Sequence, residues 1–357
     1  MKLADLLLKI QSHWQQELPF VMYALPDENT INVLLQPDDV LHTTSEFDAP
    51  SFLFAPFKYD DVSLCIPEEV SEKITLHATF PTITNISSPL YPDNDTEEEA
   101  HKEYVSEILK KIQTRKVTKV VASRKKEVIL ENFDFTALIA RTIALDISAF
   151  RYVWYHPKTG LWCGATPEVL FLSDGASFST MALAGTQKVN GDAPPIWGAK
   201  EYFEQQLVTE AITNNLQRIT AVIKTSKPKT HRAGSLYHIK TNIQGVLKNG
   251  RTTLPKIASV LHPTPAVCGT PRKEAFKIIQ DLEGYDREFY TGFLGPIHQK
   301  KDAAQLFVNL RCMKVSSSKT TIYVGGGITL DSKPEEEWLE TQHKTATMLR
   351  VLAPMLS

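Results

Sequence analysis

Cysteine is scarce in this sequence and carries no pattern. Cys65, Cys163, Cys268 and Cys312 are scattered through 357 residues with no CxxC pair and no Cys/His ligand spacing, which excludes a zinc finger or a disulfide scaffold. In LWCG, AVCG and LRCM the cysteine sits among apolar neighbours, the setting of a buried free thiol. A basic surplus is missing too. The 39 Lys and Arg residues against 41 Asp and Glu leave a formal net charge of −2, which argues against a general nucleic-acid binder. No apolar run approaches the roughly 20 residues of a membrane helix. The opening MKLADLLLKIQSHWQQ holds only a short periodic stretch with no small-residue cleavage site behind it, so it reads as an amphipathic helix and not a signal peptide. Neither GxGxxG nor a P-loop occurs, which sets nucleotide binding aside. These absences lead us to expect a cytoplasmic protein with no membrane and no nucleic-acid partner.

What is present is the composition of an ordinary globular protein, 42% hydrophobic and 22% charged. Residues 1 to about 90 read as a helix and short strands, punctuated by PDEN, QPDD and DAPS. The acidic turn PDNDTEEE (92–99) then leads into a helix running to about Arg115, with Thr96 and Glu99 as a capping box. We place a seam there, between an N-terminal layer (1–95) and a core (96–357) that belong to one fold. Beyond it, VTKVVASRKKEVIL, RYVWYH, LWCG, VLFLS, AQLFVNLRCMKV and TTIYVGGG look like strands. KEYFEQQLVTEAITNNLQRITAVIK looks like one long helix, KPKTHRAG like a basic loop, and 334–352 like a closing helix capped by Ser332 and Glu335. Strands outnumber the helices between them, so the expected class is α+β, with two large, mainly antiparallel sheets layered with helices.

Several side chains fit this frame awkwardly. Glu204 falls inside the apolar stripe of Leu207, Val208, Ala211, Ile212, Ile219 and Val222. It is either a carboxylate paired or bound to a metal, or one left wet at the helix start. Glu337 and Glu340 share a face of the closing helix, as a hard-cation site or, for Glu340, as the acceptor in an ordinary Glu340–Lys344 bridge. Lys119, in VTKVVAS, has apolar neighbours on both strand faces. That is the setting of a general base, or of an edge lysine reaching out to water. Arg311 alternates onto the face of Phe307 and Asn309 if its segment is a strand. Gly325, Gly326 and Gly327 let backbone approach an anion closely.

Taken in order, these pieces resemble the chorismate-utilising enzymes. The matching blocks are KVVASR (119–124), GATPEVL (164–170), MALAGT (181–186), KEYFEQQLV (200–208), HIKTNIQG (238–245), LHPTPAVCGTP (261–271), YDREFYTGFLG (285–295), VNLRCMKV (308–315) and VGGGITLDSKPEEEWLETQHK (324–344). The resemblance implies an α+β sandwich with its active site between two sheet layers. It also implies Mg2+ held by Glu204 and Glu340 with Glu337 assisting, and chorismate as substrate. Arg311 and Tyr290 would hold the substrate's carboxylate side chain, Gly185 and Gly325–Gly327 would cup its carboxylates, and His262 and Thr241 would stand around the ring.

Within the family, lysine at 119 and Ala184 before Gly185 favour water over ammonia as the incoming group. The resemblance therefore implies an isochorismate synthase with no obligatory glutaminase subunit. Lys119 would take a proton from water attacking C2, and Glu168 would donate one to the departing C4 hydroxyl. A salicylate synthase, which goes on to eliminate pyruvate, uses the same residues and is the alternative. Gln205, Glu201 and Thr270 depart from the residues usual at their positions.

Overall fold

The computed structural model describes residues 1–78, 95–175, 177–188, 195–233, 236–248, 253–298 and 303–356. Two sheets organise them, and every described strand pair is antiparallel. The nine-stranded sheet runs from the edge pair Gly269–Thr270 through Lys119–Ile129, Lys319–Ile328, Cys312–Val315, Gly160–Thr166 and Phe150–His156. It ends in Phe20–Ala24, Thr30–Leu35 and Glu72–His77. The ten-stranded sheet runs from Thr220–Thr225 through Leu236–Leu247, Ser177–Lys188, Val169–Asp174, Ala303–Val308 and Phe293–Ile297. Ser51–Ala55, Ser63–Pro67 and His42–Thr44 complete it, and Lys229–Ala233 pairs alongside Leu236–Leu247. Strands that precede residue 95 thus lie in both sheets.

FVMYA, SFLFA and FRYVWYH are buried at every position. Such continuous apolar runs suit strands covered on both faces. One face meets the other sheet across an aromatic layer, in which Phe150 stacks on Phe307 and Phe54 on Phe289, each at 4.2 Å. The other face meets helices. Leu3–Gln15, Phe135–Ile143 and Pro334–Leu352 cover the nine-stranded sheet, while Ala199–Leu216 and Leu254–Leu261 cover the ten-stranded one. Asp95–Gln113 and Arg272–Leu282 pack around the Lys119–Ile129 strand. The order is helix, sheet, sheet, helix.

Several local expectations are corrected. The long helix ends at Leu216, and Thr220–Thr225 forms a strand that places Val222 half-exposed instead of in the stripe. Its β-branched residues pair with Leu236–Leu247, where sheet pairing outweighs helical periodicity. The basic loop contains a strand, Lys229–Ala233. Thr96 lies inside a helix that starts at Asp95, and residues 92–94 fall outside the described ones. Ser332 does not cap the closing helix, whose N-cap is Lys333; its hydroxyl accepts from the Thr329 amide at 3.1 Å. AQLFVNLRCMKV is not one strand but two, one in each sheet.

Candidate active site

That last correction locates the site. The chain crosses between the sheets at 167–168, between Gly160–Thr166 and Val169–Asp174, and crosses back at 309–311, between Ala303–Val308 and Cys312–Val315. The crossings are neighbours. The Val308 amide donates to the Glu168 carbonyl at 2.9 Å, and the Ala165 amide to the Arg311 carbonyl at 3.1 Å. Asn309 braces the second crossing: its side-chain amide donates to the Phe289 carbonyl (2.8 Å) and its oxygen accepts from the Tyr152 hydroxyl (2.7 Å). Arg311 takes φ 45°, a left-handed conformation that a non-glycine residue holds only when its surroundings impose it. Glu168 and Arg311 both line a cavity of about 790 Å³, its mouth included.

The opposite wall is the end of Lys319–Ile328. Pairing with Cys312–Val315 stops at Tyr323, so among the described residues the Lys119 strand is the one strand that pairs with 324–328. The glycines occupy this stretch at ladder positions opposite Ser123, Ala122 and Val121. Close approach explains them. A Cβ on Gly327 would stand 2.7 Å from Lys119 Cε and 2.9 Å from Glu204 Oε1; one on Gly326, 3.0 Å from Glu337 Oε2; one on Gly325, 3.0 Å from the Tyr290 hydroxyl. Any side chain there would fill the space those groups use.

Lys119 is fully buried and donates to Glu204 Oε1 at 2.8 Å. Burial works to raise the Glu204 carboxyl, but the ammonium overrides it and holds the group below its usual value. Burial pushes Glu168 up to about 7, against smaller opposing pulls from the Thr264 hydroxyl, which donates to its Oε1 at 3.2 Å, and from Lys119. Burial and the neighbouring Glu340 raise Glu337 to about 7 as well. Lys344 donates to Glu340 Oε1 and to the Gly325 carbonyl, both at 2.7 Å, tying the closing helix to the glycine strand.

Arg311 is set by a histidine. His238 Nδ1 lies 3.0 Å from the Gly185 carbonyl and its Nε2 lies 3.1 Å from Arg311 Nη2. A carbonyl accepts and a guanidinium donates, so the ring must be neutral with its proton on Nδ1. Burial first, and Arg311 second, hold His238 well below its usual value, which agrees. Burial lowers Arg311 to about 10, so it remains a cation at neutral pH. Gly185 sits at φ 72° in a bulge between Ala184 and Thr186, which turns its carbonyl toward the ring.

The cavity therefore gathers Lys119, Glu168, Gly185, Glu204, Tyr290, Arg311, Gly325, Gly326, Gly327 and Glu340. Glu337 lies against Gly326, just behind the lining. Thr241 and His262 do not line it. Thr241 is buried and accepts from Gln205 Nε2 at 2.5 Å, while His262 bonds the Phe57 carbonyl (3.0 Å) amid Phe57, Tyr59 and Phe293. Sequence reasoning passed over His238, Thr264 and Lys344. The first two stand inside quoted blocks, HIKTNIQG and LHPTPAVCGTP, but nothing local marks them. Lys344 was legible only as a surface partner of Glu340. The departing residues are structural: Glu201 accepts from the Gly198 amide at 2.9 Å at its helix start, and Thr270 pairs with Lys119 on the sheet edge.

The arrangement offers a buried carboxyl raised to about 7, a buried lysine, fixed cations and clustered carboxylates around one small space. That suits acid–base chemistry on a small anion. A family model described as chorismate binding enzyme matches residues 60–353. Isochorismate synthase EntC of Escherichia coli (strain K12) is 31% identical over 67% of this chain and 63% of its own length. Isochorismate synthase DhbC of Bacillus subtilis (strain 168) is 32% identical over 59% of this chain and 54% of its own. This chain thus matches less than two thirds of the length of these curated relatives. A crystal structure assigned as a 2,3-dihydroxybenzoate-specific isochorismate synthase, DhbC, from Bacillus anthracis superposes with a TM-score of 0.79 at 25% identity, covering 96% of this chain and 99% of that one.

Proposed function

The chain belongs to the chorismate binding enzyme family, and from that premise we propose that it is an isochorismate synthase, a hydroxymutase that moves the ring hydroxyl of chorismate. One observation carries the reading. Lys119 and Glu168 line the same cavity, one as a buried lysine and the other as a carboxyl lifted to about 7 by burial. Chorismate has two carboxylates, and Arg311 and Lys344 are cations on the walls that can meet them. Names of the relatives point the same way.

In this mechanism Lys119 accepts a proton from the water that attacks C2, and Glu168 gives its proton to the leaving C4 hydroxyl. One water enters and one leaves. The lysine must first shed the proton it shares with Glu204, and a solvent exchange returns the acid and the amine to their starting states. Protonated Glu168 is available because its site is dry.

Magnesium fits the carboxylate corner. Glu337 and Glu340 converge on Gly326, where a Cβ would lie 3.0 Å and 3.6 Å from their oxygens, and two carboxylates so close want a cation. Among the described residues no set of three His, Cys, Asp or Glu side chains forms a ready metal cage; magnesium commonly keeps waters and substrate oxygens in place of such a cage. When bound, it would be held by Glu204 and Glu340 with Glu337 assisting, and would orient the ring carboxylate electrostatically. Four buried free thiols suit a cytoplasmic enzyme; a lysine where aminating relatives carry glutamine suits one that works without a glutaminase.

The test is product analysis after incubation with chorismate and magnesium. Isochorismate is expected. An aminated ring formed with ammonia at comparable rates would overturn the assignment, and salicylate with pyruvate would move it to salicylate synthase.

A further inference from the structure

The most deeply buried ion pair of the described residues lies behind the cavity and takes no part in the chemistry above. The side chains of Arg287 and Glu283 are each about 1% exposed, joined by Nε to Oε1 and Nη2 to Oε2, both at 2.6 Å. The guanidinium also reaches two backbone carbonyls, and Nη1 donates to the Thr291 hydroxyl at 3.4 Å. Nη2 donates to the Val121 carbonyl at 2.8 Å and Nη1 to the Val267 carbonyl at 2.9 Å. Glu283 also accepts from the Ser123 hydroxyl (2.7 Å) and the Tyr104 hydroxyl (3.2 Å).

Both carbonyls belong to residues of the cavity wall. Val121 follows Lys119 by two positions on its strand. Val267 closes the turn in which the Val267 and Cys268 amides donate to the Thr264 carbonyl, at 3.1 and 2.9 Å, and Thr264 holds Glu168. One guanidinium therefore spans the segment carrying the amine and the segment holding the acid.

Stability alone is a poor reason for this pair. Buried ion pairs are often matched or bettered by apolar residues of the same size. Glu283 also sits at the C-terminal end of Arg272–Leu282, where a negative charge opposes the helix dipole. We propose that Arg287 and Glu283 are positioning residues, a clamp that fixes the spacing of Lys119 and Glu168 across the substrate.

The inference rests on the proposed reaction, so its test includes a readout that needs no turnover. Single removal of either charge strands the other and risks unfolding. The main variant is therefore the double replacement Glu283→Met with Arg287→Met, beside Arg287→Lys, which keeps the charge but lacks the fork that reaches both carbonyls. Thermal melts give the folded fraction, amide exchange reports Val121, Val267 and Cys268, and steady-state kinetics on chorismate separate kcat from KM. We expect a folded double variant with faster exchange at those amides and kcat lower by about tenfold or more at nearly unchanged KM, since misplacement by an ångström costs on the order of 10²-fold. Arg287→Lys should fall between it and the wild type. Wild-type kcat per folded molecule in both variants, or exchange unchanged at all three amides, would overturn the clamp. Should the double variant not fold, Arg287→Lys decides by the same two readouts. A wild-type protein inert toward chorismate would instead sink the proposed reaction and leave the exchange result to judge the clamp.

Discussion

Glu168 and Glu337 stand in different regions of the site, and both are carried to about 7. Glu168 reaches that value through burial at a chain crossing, with its hydrogen bond and nearest cation pulling the other way. Glu337 reaches it through burial with the added repulsion of Glu340. A carboxyl made acid-competent by dryness keeps its proton when charges elsewhere are rearranged. One raised by burial and, second, by a neighbouring carboxylate is drawn back down when a cation meets both carboxylates. The first suits the proposed acid, the second the proposed cation site.

The largest expected effect separates the two regions by removing the cation. In excess chelator turnover should vanish and return with magnesium, while Glu168 keeps its elevated pKa in the stripped protein, as carboxyl NMR would record. Undiminished turnover would dissolve the distinction. Next, Lys119→Ala should cost about 10²-fold or more, the usual scale of general base catalysis, in a protein that still folds. Lys119→Arg should fail nearly as badly, because a guanidinium cannot accept the proton. Near-normal kcat in folded Lys119→Ala would leave water without its base.

A pH series sharpens the comparison through stability. Both carboxyls are raised in the folded state, so each contributes stability that is full below its unfolded value near 4.5 and lost as pH rises through about 7. For Glu168 the loss is on the order of 3 kcal/mol. Denaturant melts should show the wild type weakening between about pH 4.5 and 7, more so without magnesium, and Glu168→Gln should flatten part of that slope while abolishing turnover. An unchanged slope in Glu168→Gln would mean that its carboxyl is not the titrating group. The smallest effect is at Thr264. Its hydroxyl draws the Glu168 pKa down, so Thr264→Val should move the alkaline limb of kcat to higher pH, by a few tenths of a unit. A shift to lower pH would contradict the hydrogen bond.

How legible this was in the sequence differed from residue to residue. The start of the Lys119 strand is readable because Val117, Val120, Val121 and Ala122 put apolar neighbours on both faces, and the lysine interrupts them. Glu204 was readable as an acid inside a stripe, although the stripe itself was drawn too long: Ile219 and Val222 belong to the turn and strand that follow the helix. Arg311 was read on the wrong backbone. Nothing in FVNLRCMK announces that the chain leaves one sheet and enters the other, since the apolar alternation is the same on both sides. His262 has the look of a site residue, and its partners turn out to be a backbone carbonyl and aromatic rings.

By itself the sequence determined the period of most elements, their apolar faces, the absence of a membrane helix among the described residues, and the motif blocks that point to the family. These are local properties, written in the spacing of side chains along one chain. Only the tertiary structure decided that 167–168 and 309–311 cross side by side, that a neutral His238 aims Arg311, and that Lys119 faces Glu204 over Gly327. Those contacts join residues scores of positions apart. Their chemistry comes from shared burial, which lifts one carboxyl and lets an ammonium lower another, and burial belongs to the packed molecule and not to any segment of it.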